Sequence, residues 1–334
     1  MNKKMHILCL LNPVAGSGIS IRRWPEVASL LGSFGITYDL VAEKDVPLGV
    51  QVARRIDQEG SDRYGAIVGV GGDGTHSSII NGLMRYRNSH PGCELPPYAL
   101  IPMGTGNDIA KSFGLNSRQD FFVSDLRQAV ATILYGADYM IDLGFLADTY
   151  FVDALTVGLD SSILKEHNRR KQKIARFPVL SRILKGHLLY TWCVGLMFWR
   201  QNALEAEIKI DGASWYSGPI INLVINNTRV YAGEFVICPD AYANDGVLEV
   251  VVFTGHRDYL RKYLLAFRNN PREIQKMGER LSSVSSYTKG ERIEVRLSRP
   301  AAAQFDGEEI SARTDFDVSV EPRTFHIRIP SEPA

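Results

Sequence analysis

Short continuous apolar runs alternate, over roughly the first 135 residues, with segments whose apolar positions recur every three or four residues, a pattern that predicts strands and helices in turn. The run "MHILCLL" reads as a buried strand. After Ser20, a candidate N-cap, Trp24, Val27, Leu31 and Phe34 fall at helical spacing until Gly35 stops the pattern. "ITYDLV" is the second strand, and Leu48, Val52 and Ile56 mark one face of the second helix. "AIVGV", "THSSIINGLMRY" and "YALIP" continue as strand, helix and strand. This βαβ alternation implies an α/β domain whose parallel-type sheet carries helices on both faces.

From about Tyr139 the period shortens to two, in "YFVDALTVGL", "ALEAEIKID", "PIINLVINN", "GVLEVVVF" and "ERIEVRL", with two helical stretches among them. An antiparallel, strand-rich, sandwich-like second domain is expected. The expected division is residues 1–135 and 136–330, although no Pro/Ser-rich linker marks the change near Gly136. Internal repeats and low-complexity tracts are absent from the sequence.

Composition narrows the class. At 45% hydrophobic and 22% charged residues the chain has the make-up of a soluble globular protein with sizeable cores. A formal net charge of +1 argues against a dedicated nucleic-acid partner. Cys9, Cys93, Cys193 and Cys238 lack metal-site or disulfide spacing and read as reduced thiols. Asn12-Pro13 interrupts the first apolar run before signal-peptide length, and "LLYTWCVGLMFW" is too short to span a bilayer, so a cytoplasmic address is expected.

Three of the four N-terminal strands empty into glycine-bearing loops: "NPVAGSG", "GGDGT" and "MGTGND". Ligands of open α/β sheets lie beyond the carboxyl ends of the strands, where glycine lets backbone N–H groups approach phosphate oxygens. One such loop is as readily an ordinary turn; three on one sheet edge favour a polyphosphate site. Gly69, Gly71 and Gly74 also satisfy G-x-G-x-x-G, but on the third strand and without the following acidic residue of a dinucleotide fold. A P-loop is excluded because no G-K-[ST] is present. Asp73, at the centre of its loop, would repel phosphate unless Mg²⁺ bridged the two, which points to a nucleoside triphosphate donor.

These loops, with "PMGTGNDIAKSFGL", resemble the signatures of the diacylglycerol kinase catalytic domain, in the superfamily that also holds sphingosine, ceramide and bacterial soluble lipid kinases and, more remotely, NAD kinases and phosphofructokinases. "FVDALTVGLDSSI", "INLVINNTRVYAGEFVICPDAYANDGVLEV" and "AAAQFDGEEI" follow the order and spacing of that family's accessory domain, so the resemblance covers nearly the whole chain. It implies an ATP-dependent lipid kinase using Mg²⁺, with diacylglycerol the first acceptor to consider and sphingoid bases, ceramide or phosphatidylglycerol as alternatives. The resemblance places Asn12, Gly71, Gly72, Asp73, Gly74, Thr75 and Thr105 around the nucleotide, with Asp73 tied to Mg²⁺. Asn107 joins them, although it and Asp108 serve equally well as N-caps of the following helix. It implies Glu308 as the proton acceptor, with Asp306 as its partner or a metal ligand; if that segment is extended, both carboxylates face one side. The dipeptide Asp306-Gly307 alone favours a hairpin turn. A structural Mg²⁺ is implied at Asp245 with the carbonyls of Tyr242 and Val247, where Asn-Asp-Gly otherwise reads as a turn. The chain departs from the family at Ser77 and Ser78, where Asn and Glu are frequent, and in lacking a threonine near the end of "DLVAEKD".

A soluble-metabolite kinase of the NAD kinase type is the second reading, disfavoured by G-T-G-N-D and the late D-G-E; a non-catalytic binding module is the third. Finally, Arg169, Arg170, Lys171, Lys173, Arg176, Arg182 and Lys185 lie beside the most apolar segment. This basic stretch, 169–185, predicts reversible binding to anionic membrane, where a lipid acceptor is presented.

Overall fold

The computed structural model describes residues 5–115, 125–174, 187–232, 235–266 and 287–331. They form two compact units, one of Met1–Leu143, Ala232–Glu234 and Glu321–Ala334, the other of Gly144–Tyr231 and Phe235–Val320. The division falls at 143/144 rather than near Gly136, and the chain returns to the first unit at residue 321.

In the first unit β1 (His6–Leu11), β2 (Thr37–Val41), β3 (Ala66–Gly71) and β4 (Tyr98–Pro102) pair in parallel in the order β2-β1-β3-β4. The end of β14 (Glu308–Ile329) adds a further parallel strand, with Ile327 beside Tyr98. β1, β3 and β4 are buried along almost their whole length, as continuous apolar strands covered on both faces must be. α1 (Ala15–Ser33) packs with α5 (Leu126–Tyr135), and α2 (Leu48–Glu59) with α3 (Asp73–Ser89). Leu48, Val52 and Ile56 are the buried face of α2. Connections leave β1 and β3 in opposite directions, so the gap between their carboxyl ends is a topological switch point.

Ser20 does not cap α1. Its hydroxyl donates to the Asn12 and Ala15 carbonyls, while Gly16, Ser17 and Gly18, all at positive φ, turn the chain before the regular helix begins. α4 (Asp108–Ser112) is only five residues long.

The second unit is antiparallel. β12 (Tyr287–Gly290), β11 (Leu248–Phe253), β10 (Asn222–Asn226), β7 (Ala154–Gly158), β13 (Arg292–Phe305) and the first part of β14 follow one another. β8 (Leu204–Ile210) and β9 (Ala213–Ile220) extend from β13. β10 and β11 are buried on both faces: Leu223, Ile225, Val250 and Val252 enter a core shared by the strands, whereas Val224, Val251 and Phe253 pack with helices. Those helices are α6 (Leu159–Ile174), α7 (His187–Arg200) and α8 (His256–Ala266). They number three among the described residues, one more than the sequence patterns predict.

Candidate active site

The three glycine loops of the first unit meet. A Cβ on Gly104 would lie 2.4 Å from the Gly72 Cα, and one on Gly16 would lie 2.5 Å from the Met103 carbonyl oxygen, so only glycine allows these backbones to close on one another. Met103 N–H donates to the Gly71 carbonyl at 2.6 Å, joining the second loop to the third. Asn12 Nδ2 donates to Thr75 Oγ1 at 2.9 Å, and Asn12 N–H donates to the Val70 carbonyl, joining the first loop to the second. Asn12, Gly71, Gly72, Asp73, Gly74, Thr75 and Asn107 are therefore held in one cluster at the switch point, with Thr105 exposed on the third loop.

Asp73 starts α3 but acts across the cluster. Its Oδ1 accepts the Ile109 N–H at 3.0 Å, capping α4 from outside that helix. Burial raises its carboxyl above the ordinary range, opposed by the backbone N–H groups of Ile109, Asp108 and Asn107. Asn107 occupies the N-cap position of α4 in the left-handed region (φ 55°) and makes no cap bond with its side chain. Instead its Oδ1 accepts the Gly104 N–H at 2.7 Å and its Nδ2 donates to the Gly104 carbonyl, closing the loop on itself.

Ser77 and Ser78, where the chain departs from the family, take part in packing. Ser77 is buried in α3 and its carbonyl accepts from Asn81. Ser78 Oγ accepts the Gly49 N–H, where α2 and α3 approach closely through Gly49 and Gly82. Beneath the loops His76, 1% exposed, shares a 2.8 Å hydrogen bond between Nδ1 and the Tyr98 hydroxyl. Burial lowers its pKa to about 3, so its imidazole is neutral.

In the second unit the D-G-E segment is not extended. Asp306 (φ 48°) and Gly307 (φ 79°) form a two-residue turn joining β13 to β14, with left-handed φ at both central positions. Glu308 therefore begins the return strand, and the period-two argument for a shared face does not apply. The Asp306 carboxylate, 4% exposed, accepts the N–H groups of Val152 at 2.9 Å, Asp153 at 2.8 Å and Ala154 at 3.2 Å. That bond set divides the expected single strand "YFVDALTVGL" into β6 (Thr149–Phe151) and β7. Glu308 is exposed, and its carboxyl is raised from the ordinary value by partial desolvation and by neighbouring Glu309. Asn168 of α6 donates to Glu309 Oε1 at 2.7 Å.

The residues implied as a structural metal site, Tyr242, Asp245 and Val247, lie together in one turn. The Tyr242 carbonyl already accepts the Asn244 and Asp245 N–H groups, and Asp245 Oδ1 accepts the Val247 N–H at 3.3 Å. The Lys289 ammonium stands 3.9 Å from Asp245 Oδ2, and Asp245 and Asp240 add to the burial that raises the Glu249 carboxyl to about 7. Among the described residues no group of three His, Cys, Asp or Glu side chains could hold a metal. At Asp73, Mg²⁺ carried by a nucleotide would need one or two carboxylates beside phosphate oxygens and water, and Asp73 with the neighbouring Asp108 could supply them.

Several buried carboxylates escape the sequence patterns, Asp142 and Asp160 among them. Asp142 accepts the Arg323 N–H at 2.6 Å within the first unit. Asp160, at the start of α6, accepts the hydroxyls of Tyr231, Tyr259 and Tyr263 and the amide of Asn222 at 2.5 to 2.9 Å. Their donors are distant in sequence, so no local spacing announces them. The stretch 169–185 also changes character. Glu166, held down at about pKa 2, is bound by Arg169 and Arg170, and Arg170 lies over the Trp192 ring at 4.0 Å. Arg176, Arg182 and Lys185 lie outside the described residues.

Comparison with known proteins agrees with the motifs. Residues 6–144 match the diacylglycerol kinase catalytic domain, and residues 171–329 match the YegS C-terminal NAD kinase beta sandwich-like domain. A diacylglycerol kinase of Bacillus subtilis is 25% identical over 248 residues, covering 73% of this chain and 71% of that protein. A probable lipid kinase YegS-like of Klebsiella pneumoniae is 28% identical over 329 residues, 97% of this chain and 96% of its own. The crystal structure of a diacylglycerol kinase from Bacillus anthracis superposes with a TM-score of 0.69 at 17% identity over 98% of both chains, a likeness of fold.

Proposed function

We propose that this chain, whose residues 6–144 match the diacylglycerol kinase catalytic domain, transfers the terminal phosphoryl group of ATP to the hydroxyl of a lipid, diacylglycerol being the first candidate. The observation that carries this reading is the closure of the three glycine loops around Asp73: Gly72 on Gly104, Gly16 on Met103, Asn12 on Thr75. That cluster offers backbone N–H groups and the Asp73 carboxylate, with the Asp108 carboxylate beside it, at the switch point, a donor set that suits a metal-bearing polyphosphate. Mg²⁺ entering with the nucleotide would supply neutralisation of phosphate charge, and Asp73 would hold it.

Glu308 is the group proposed to accept the proton. As the lipid hydroxyl oxygen bonds to the γ-phosphorus, the bond to the β–γ bridging oxygen breaks, ADP leaves and the hydroxyl proton passes to the Glu308 carboxylate. A raised pKa suits that task, since a weakly acidic carboxyl is a stronger base. Asp306 acts indirectly in this scheme: both its oxygens serve backbone N–H groups, so it positions the turn that presents Glu308.

The test is incubation of the purified chain with labelled ATP, Mg²⁺ and a mixed panel of diacylglycerol, sphingoid base, ceramide, phosphatidylglycerol and NAD. Labelled phosphatidic acid is the expected product. Transfer of label to NAD alone, or to nothing, would remove the lipid kinase reading.

A further inference from the structure

α7 is among the most apolar segments of the chain, yet only Leu189 and Cys193 of its described side chains are buried. Trp192, Gly195 and Trp199, spaced i, i+3 and i+7, form an exposed stripe, with Trp192 50% and Trp199 84% exposed. Large aromatic side chains left in water at helical spacing are unusual unless something apolar covers them. At 14 residues the helix is about 21 Å long, too short to cross a bilayer but suited to lying in its interface.

The charge around this helix is one-sided. α6, α7 and the described part of α8 carry three acidic residues, and all are engaged within the fold. Asp160 is enclosed by three tyrosines and an asparagine, Glu166 is bound by Arg169 and Arg170, and Asp258 binds Lys262. Lys165, Lys171, Lys173, Arg200, Arg257 and Arg261 are exposed, and among the described residues no acidic side chain lies within ion-pair distance of them. The end of α7 adjoins the start of α8: His256 Nε2 bonds to the Phe198 carbonyl at 2.5 Å, and the Trp199 and His256 rings are stacked. Trp199, Arg200 and Arg257 are thereby neighbours, and Leu260, 49% exposed, follows Arg257 by three positions on α8.

We propose that the exposed face of α7 docks the chain on an anionic bilayer, with Trp192 and Trp199 entering the headgroup region and the cations of α6 and α8 meeting lipid phosphates. The proposal rests on the lipid kinase reading for its purpose but not for its physics. Interfacial aromatics joined to unbalanced basic charge match a surface that is apolar just below its anionic layer. The docking element is α7 rather than Arg169 and Arg170, which are committed to Glu166 and Trp192.

The full chain is mixed with phosphatidylcholine vesicles with and without phosphatidylglycerol, and partition is read by co-sedimentation and by the blue shift of tryptophan emission. The wild type is expected to bind the anionic vesicles about tenfold more tightly than the neutral ones, less so in high salt. Trp199→Ser should weaken anionic-vesicle binding about five- to tenfold and remove most of the emission shift, leaving turnover on detergent-dispersed short-chain diacylglycerol unchanged. Paired Arg257→Glu and Arg261→Glu should abolish the preference for anionic lipid. Equal sedimentation of wild type and Trp199→Ser overturns the proposal. So does a Trp199→Ser chain that passes from dimer to monomer with vesicle binding unaltered, since a second copy would then cover the face. A wild type that binds vesicles as expected but phosphorylates no lipid removes the kinase reading and leaves the docking surface standing.

Discussion

Asp73 serves two purposes whose demands differ. As the outside cap of α4 it needs only an oxygen to accept the Ile109 N–H; as the proposed anchor of a metal-bearing nucleotide it needs a full negative charge. Asp73→Asn separates them by keeping an oxygen and deleting the charge. The variant is expected to lose at least about 10²-fold in kcat while its unfolding midpoint falls only slightly, a cap change being worth about 1 kcal/mol. Normal turnover in labelled-ATP assays would dismiss the nucleotide role, and collapse of the fold would make Asp73 chiefly structural. His76 yields a different kind of test. Its folded pKa of about 3 lies below the unfolded histidine value near 6.5, so the folded state binds fewer protons. The stability this contributes is complete above pH 6.5 and is lost as pH falls towards 3, a span worth about 5 kcal/mol by proton linkage. His76→Phe should flatten the acid side of a urea-unfolding profile between those limits; an unchanged slope would mean that His76 does not titrate there. Sequence marks neither the cap that Asp73 forms nor the burial of His76, since Asp73 lies among glycines and His76 beside two serines.

At the scale of elements, the β13–β14 turn shows how a local rule and a distant bond share control. Asp-Gly specifies a tight hairpin by itself, and that much is legible. What it does not convey is that the Asp306 carboxylate reaches back to the N–H groups of residues 152–154, interrupting β6–β7 and fixing where Glu308 emerges. Period two in "YFVDALTVGL" predicts one strand because nothing in that segment records a partner at position 306. The two acidic residues of the motif should therefore differ in how they fail. Asp306→Ala leaves three buried N–H groups without their acceptor and is expected to cost about 3 to 5 kcal/mol in urea unfolding, with activity falling through misplacement of the turn. Glu308→Gln, on an exposed side chain, should leave stability within about 0.5 kcal/mol and lower kcat about 10²-fold at nearly constant KM for ATP. If Glu308→Gln instead altered only KM, another group would have to accept the proton.

For the whole molecule, the N-terminal half was open to sequence reading because its signals are local. Strand runs, helical spacing and glycines at each carboxyl edge are enforced by sterics within a few residues, and the close approach of Gly72 to Gly104 is the consequence. Completion of that half is not local. Residues 321–329 leave the second unit, and Ile327 pairs in parallel with Tyr98, a partner more than two hundred residues earlier that no periodicity identifies. Side chains secure the strand: Arg87 donates to Thr324, Arg328 pairs with Asp138 at 3.1 Å, and the buried Asp142 accepts the Arg323 N–H. Removing residues 321–334 from the chain would expose the β4 edge, take the Phe325 ring from Tyr98 and withdraw a backbone donor from the Asp142 carboxylate. Parallel strands rely on being covered and paired, so the loss should be cooperative across the first unit. Limited proteolysis read by mass spectrometry is expected to cut the shortened chain quickly within residues 5–143 while 144–320 stays protected, and the shortened chain should bind no ATP. A cleavage pattern equal to that of the full chain would show that β1 to β4 and their helices stand without the returning strand, and that the first unit is in effect a continuous domain.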